Sequence, residues 1–135
     1  MPIAFICDKG AASVSDSQMD RLKNGLPQVL AKEFSISESD SLRRGFKPES
    51  VKVINVHFDP RFSSDVPLAI IAFLPEYPET FTSFEERWRR TAKAIDRILL
   101  GRVDFHLEII LSTASGSVFE GKVIAKVARQ GRAVG

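Results

Sequence analysis

Few side chains in this 135-residue sequence could carry covalent or proton-transfer chemistry. Cys7 is the only cysteine, so there is neither an intrachain disulfide nor a thiolate cluster for zinc, which fits a reducing, cytoplasmic setting. At the end of the apolar run Ile3-Ala4-Phe5-Ile6, it reads as a small buried hydrophobe rather than a nucleophile. The two histidines, His57 and His106, could in principle bind a metal or relay a proton. Neither has the helical i, i+4 partner or the carboxylate spacing of a metal site, and a hydrogen-bonded structural role accounts for them more simply. His57 keeps some interest because it ends a strand. Gly-rich phosphate loops, a Gly-x-Ser-x-Gly elbow and paired cysteines are all absent, so nucleotide cofactors and serine hydrolysis have no support. Pro2 is set apart by position: it follows Met1 and is small, so removal of the initiator is expected to leave proline as the terminal residue.

The setting for these residues is a single domain of ordinary composition, 44% apolar, 27% charged and 9% aromatic. A chain of this size buries about two-thirds of its unfolded surface and holds a core without staples. Nineteen basic against seventeen acidic residues leave a net charge of +2, too weak a field to imply nucleic acid or membrane. The N-terminal segment has no basic region, and its apolar run is too short for a signal peptide or a membrane span. Lys122, Lys126, Arg129 and Arg132 form a basic tail without stacking aromatics and read as solvated.

The elements alternate. Ile3 to Cys7 reads as a strand; Ser15-Asp16-Ser17-Gln18 offers a capping box to a helix with Met19, Leu22, Leu26, Val29, Leu30 and Phe34 on one face. Pro27 inside that pattern predicts a kink or a late helix start. Ser35 to Ser50 is a long polar loop, Val51 to Phe58 a second strand, and Leu68 to Leu74 a third, nearly continuous apolar one. Ser83-Phe84-Glu85-Glu86 is a second capping box, opening a helix with Phe84, Trp88, Thr91, Ala92, Ile95, Ile98 and Leu99 on its apolar face and Gly101 past its end. A fourth strand spans about Phe105 to Ser112, and Lys122 to Ala128 suits a short edge strand. The order is β-α-β twice, an α+β, two-layer arrangement. Right-handed crossovers place both helices on one face of a four-stranded sheet. The other face is apolar too, which calls for cover by further copies of the chain.

A proline behind the initiator, immediately in the first strand of a doubled β-α-β unit, resembles the tautomerase superfamily, from Pro2 to about Ser112. Leu26-Pro27-Gln28-Val29-Leu30-Ala31-Lys32 and Lys52-Val53-Ile54-Asn55 look most like its 5-carboxymethyl-2-hydroxymuconate isomerase branch. The resemblance implies a cofactor-free, homotrimeric enzyme with residues 113–135 at a subunit interface. It also implies that the Pro2 amine is the catalytic acid–base, shuttling a proton between carbon and oxygen of a small unsaturated keto or enol acid. Such an amine is free only when nothing precedes it, and a dry pocket disfavours its charged form, as proton transfer near neutral pH requires.

A cation must hold the substrate carboxylate. Family members often carry Gly-Arg-Ser at a helix start; here the matching segments read Val14-Ser15-Asp16 and Thr82-Ser83-Phe84. The resemblance then leaves Lys52, Arg43 and Arg44 as the anchors, with Lys47 and Arg61 nearby in sequence, and Phe119 as an apolar pocket wall. By itself, Lys52 reads more simply as a solvated or subunit-edge lysine than as a carboxylate ligand. Alternatives on the same scaffold are a decarboxylase, a dehalogenase-type lyase or hydratase, and a non-catalytic trimeric binding protein. A ferredoxin-like regulatory domain would share the topology without depending on Pro2.

Overall fold

In the computed structural model the described residues are 2–8, 14–36, 45–57, 67–112 and, as backbone, 123–127. Strand β1 (Ile3–Asp8) leads to helix α1 (Asp16–Phe34), a 3-10 turn (Pro48–Ser50) and β2 (Lys52–His57). Strand β3 (Leu68–Pro75) is followed by the short helix α2 (Pro78–Thr82), α3 (Phe84–Ile98), β4 (Phe105–Ser112) and β5 (Val123–Val127). The sheet order is β2-β1-β3-β4-β5. β1 and β2 are parallel, β3 and β4 are parallel, and the halves meet antiparallel at β1 and β3. This is the doubled β-α-β unit that the sequence order predicts, with β5 added as an antiparallel edge on β4.

Alternation along the strands separates the two faces. Ala4, Ile6, Leu68, Ile70, Ala72, Leu74, Phe105, Leu107, Ile109 and Leu111 are buried beneath the helices. Leu22, Leu26, Leu30 and Phe34 from α1 and Trp88, Ala92 and Ile95 from α3 close the layer above them. Trp88 keeps its indole N–H satisfied by donating to the Leu107 carbonyl at 3.3 Å, the condition for burying a tryptophan without loss. Phe84 stacks obliquely on Phe34, ring centroids 5.7 Å apart, where the end of α1 meets the start of α3.

Local chemistry explains the helix ends, with three departures from expectation. The Ser15 box forms: Ser15 Oγ accepts the Gln18 N–H, and Gln18 Oε1 accepts the Ser15 N–H. The helix then runs unbroken through Pro27, so there is no late start; burial of Leu22, Leu26 and Leu30 on one face outweighs the hydrogen bond that proline removes. The second capping box does not form. Ser83 Oγ instead donates to the Glu79 carbonyl and accepts from Arg87 Nε, both at 2.7 Å. The cause is α2, a turn absent from the sequence reading, which starts at Pro78 and delivers the chain to Ser83 already coiled.

Candidate active site

The parallel pairs give the molecule two unlike ends. At one end lie the starts of β1 and β2, the ends of β3, β4 and α1, and the start of α3. Pro2 is buried there, directly ahead of β1. Proline costs no ladder hydrogen bond at a strand's first position, and its carbonyl accepts the Lys52 N–H at 3.0 Å, starting the β1–β2 pairing. The 3-10 turn aims the chain at that point through Ser50 N–H to the Lys47 carbonyl and Val51 N–H to the Pro48 carbonyl, 2.9 and 3.1 Å. Glu76 N–H to the Ser112 carbonyl, 2.8 Å, ties the ends of β3 and β4 together beside it.

Lys52 pairs in register with Ile3, so it lies on the face that the helices do not cover, and its side chain is exposed. Pro2 and Lys52 are therefore brought together by the β1–β2 register. Arg43, Arg44, Arg61 and Phe119 lie outside the described residues. The stems of the segment that carries Arg43 and Arg44 are nonetheless fixed. Gly45 sits so close to the Ile36 carbonyl and Ser35 Oγ that no Cβ would fit, which holds Gly45 against the residues that follow α1. Lys47 is exposed between that stem and β2.

The uncovered face is apolar around Lys52. Phe5, Ile54, Val56, Ile71 and Ile110 are half-buried, and Phe73 is 40% exposed with its ring edge-on to Phe5, centroids 6.0 Å apart.

The other end holds a polar cluster that the sequence reading did not assemble. Asp8, 2% exposed, accepts from Asn55 Nδ2 at 2.7 Å and lies 2.9 Å from His57 Nδ1. Asn55 Nδ2 also donates to the Ile6 carbonyl at 2.8 Å. The signal was the alternation Ala4, Ile6, Asp8, which turns Asp8 under the helices, and the β1–β2 register, which sets it opposite His57. A cavity of about 390 Å³ opens there, lined among others by Val14, Met19 and Lys23. Six strand steps at about 3.3 Å each separate it from Pro2, roughly 20 Å. Among the described residues no group of three or more His, Cys, Asp or Glu could hold a metal ion. Nor is any helix among them long and apolar enough to cross a membrane.

No protein-family model and no curated protein matches the chain by sequence. Solved structures do match in shape. A fused 4-OT, an asymmetric trimer, is similar at TM-score 0.58 and 16% identity, covering 98% of each chain. N1, a member of the cis-3-chloroacrylic acid dehalogenase family, is similar at TM-score 0.58 and 8% identity, over 96% of this chain and 88% of that one. The likeness to a 5-carboxymethyl-2-hydroxymuconate delta-isomerase, TM-score 0.49 at 14% identity, adds no weight to that branch. The described residues have the tautomerase fold.

Proposed function

We propose that this tautomerase-fold chain is a cofactor-independent isomerase of small unsaturated keto or enol acids, acting through the Pro2 amine as a homo-oligomer. The observation that carries the reading is the placement of Pro2: buried at the head of a strand flanked on both sides, with Lys52 exposed one register step away. Once Met1 is removed, Pro2 presents a secondary amine, and burial favours its neutral form. That nitrogen takes a proton from the enol hydroxyl and returns it to carbon, giving the keto acid with no net gain or loss. Lys52, with Arg43 and Arg44, would hold the carboxylate as point charge and fork. Phe119 would wall the pocket.

The apolar face around Phe73 supports homo-oligomerisation, and the trimeric 4-OT of the same fold favours three copies. A second reading draws on the equal likeness to a member of the cis-3-chloroacrylic acid dehalogenase family. A protonated Pro2 that donates to an unsaturated acid during water addition would make the chain a hydratase or dehalogenase on the same residues. Rates of enol-to-keto conversion of phenylenolpyruvate and 2-hydroxymuconate, for Met1-free protein beside Pro2→Ala, test the isomerase. A Pro2-dependent rate supports it; equal rates at the uncatalysed level for both proteins reject it for these acids.

A further inference from the structure

The outer surface of the helical layer carries a second feature that the Pro2 site does not use. α1 and α3 lie side by side, and a groove of about 470 Å³ between them is lined by Gln28, Val29, Lys32 and Glu33 from one and Arg90, Lys93, Ala94 and Arg97 from the other. Four of these side chains are cations and one is a carboxylate. The carboxylate is already engaged: Glu33, mostly buried, accepts from Arg90 Nε at 2.8 Å. That bond fixes the guanidinium while leaving the N–H donors on its outer nitrogens, with Glu86 no nearer than 3.9 Å to Nη1. Among the described residues no ion pair is recorded for Lys32, Lys93 or Arg97.

Such a charge arrangement works against the fold. Lys93 and Arg97 are four residues apart on one helix face, and Arg90 is three residues before Lys93, so like charges stack along the turn and cost helix stability. The interaction of Lys32 and Arg97 with the C-terminal ends of their helices offsets part of this cost. It does nothing for Lys93, which lies within α3 and lines the same groove as Lys32. An anion seated between the helices would give Lys32, Lys93 and Arg97 a counter-charge at once. The groove's volume is that of a small-molecule site. Its composition, two guanidinium and two ammonium groups against one carboxylate, with Val29 and Ala94 also in the lining, matches several adjacent phosphate charges better than a single carboxylate.

We propose that the α1–α3 groove binds a small phosphate-bearing anion, of the di- or triphosphate class. The groove opens on the side away from the apolar sheet face, so it stays accessible when further copies cover that face. It shares no residue with the Pro2 site, and the two readings stand or fall separately.

The probe is inorganic pyrophosphate, titrated into the full-length protein at low ionic strength with calorimetry and amide NMR. One site per chain is expected, with the shifts centred on Lys32, Lys93 and Arg97 and the affinity falling as salt is raised. Lys93→Glu with Arg97→Glu should weaken binding at least tenfold. Arg102→Glu, an exposed cation outside the groove, should leave it unchanged, and circular dichroism confirms that each variant is folded. ATP binding more tightly than pyrophosphate would assign a nucleotide, with its body on Val29 and Ala94; equal binding would assign the phosphate groups alone. No saturable binding overturns the proposal. So does equal weakening by Arg102→Glu, which marks a diffuse field, or binding of a single-stranded oligonucleotide in place of pyrophosphate.

Discussion

The amide of Lys52 donates to the carbonyl of Pro2 across 3.0 Å, so one hydrogen bond sets both the position of Pro2 and the register of the strand beside it. On the proposed function, the Pro2 amine and the Lys52 ammonium are carried by backbone that the same contact fixes. Their spacing is then a property of a two-strand ladder and not of a loop, which is the kind of support a proton-transfer site needs.

Lys52→Met should separate binding from chemistry. Loss of one exposed ammonium removes part of the hold on the substrate carboxylate, so KM should rise about tenfold, equivalent to ~1.4 kcal/mol, while kcat changes less. Lys52→Arg should restore most of the loss. Steady-state kinetics decide the matter, and an unchanged KM would remove Lys52 from the site.

Phe73→Glu should dissociate the assembly. Phe73 is 40% exposed on a sheet face whose neighbours are apolar, and a carboxylate there cannot be buried against another copy without a partner. Sedimentation should show the wild-type oligomer reduced to monomer at micromolar concentration. A mutant that sediments like the parent would place the subunit contact elsewhere.

The Asp8 cluster should matter to stability in an asymmetric way. Asp8→Ala removes the acceptor for Asn55 Nδ2 and His57 and should cost about 1–3 kcal/mol. His57→Ala should cost under about 1 kcal/mol, because the histidine side chain is 73% exposed. Urea unfolding of both variants checks the ranking; equal costs would mean that the histidine, not the buried carboxylate, organises the cluster.

Cys7 gives a pH signature. Burial, with a smaller contribution from the Asp8 charge, raises its thiol above the ordinary 9.0. Above pH 9 the unfolded chain therefore loses a proton that the folded chain retains, and stability falls as pH rises through that region. Thermal melts between pH 8 and 10.5 should show a steeper decline for the wild type than for Cys7→Ala. Native protein should also resist alkylation at pH 8 and react once unfolded.

Much of this was legible in the residues. Helical spacing from Met19 to Phe34 and from Trp88 to Leu99, and the apolar runs at Leu68 and Phe105, are strong local signals, and their order dictates the crossovers. α2 was missed because a five-residue turn begun at Pro78 leaves no periodicity to read. The Asp8–Asn55–His57 contacts were missed for a different reason: they join residues 47 and 49 positions apart, and only the β1–β2 register brings them together. Pro2 was legible as a candidate, since nothing but its place in the chain marks it. Lys52 was legible as a position on a strand, but its nearness to Pro2 is again a consequence of register.

The most direct test of the central claim compares two forms of one sequence: mass-verified protein with Met1 removed and the same protein with Met1 retained. Both keep proline in place, and only the nitrogen differs, free in one and an amide in the other. The account predicts that enol-to-keto conversion of phenylenolpyruvate falls by about 10²–10⁴ when Met1 is retained, the span of a lost general acid–base group. Equal catalysed rates in the two forms would contradict it, because an amide nitrogen cannot serve as the base.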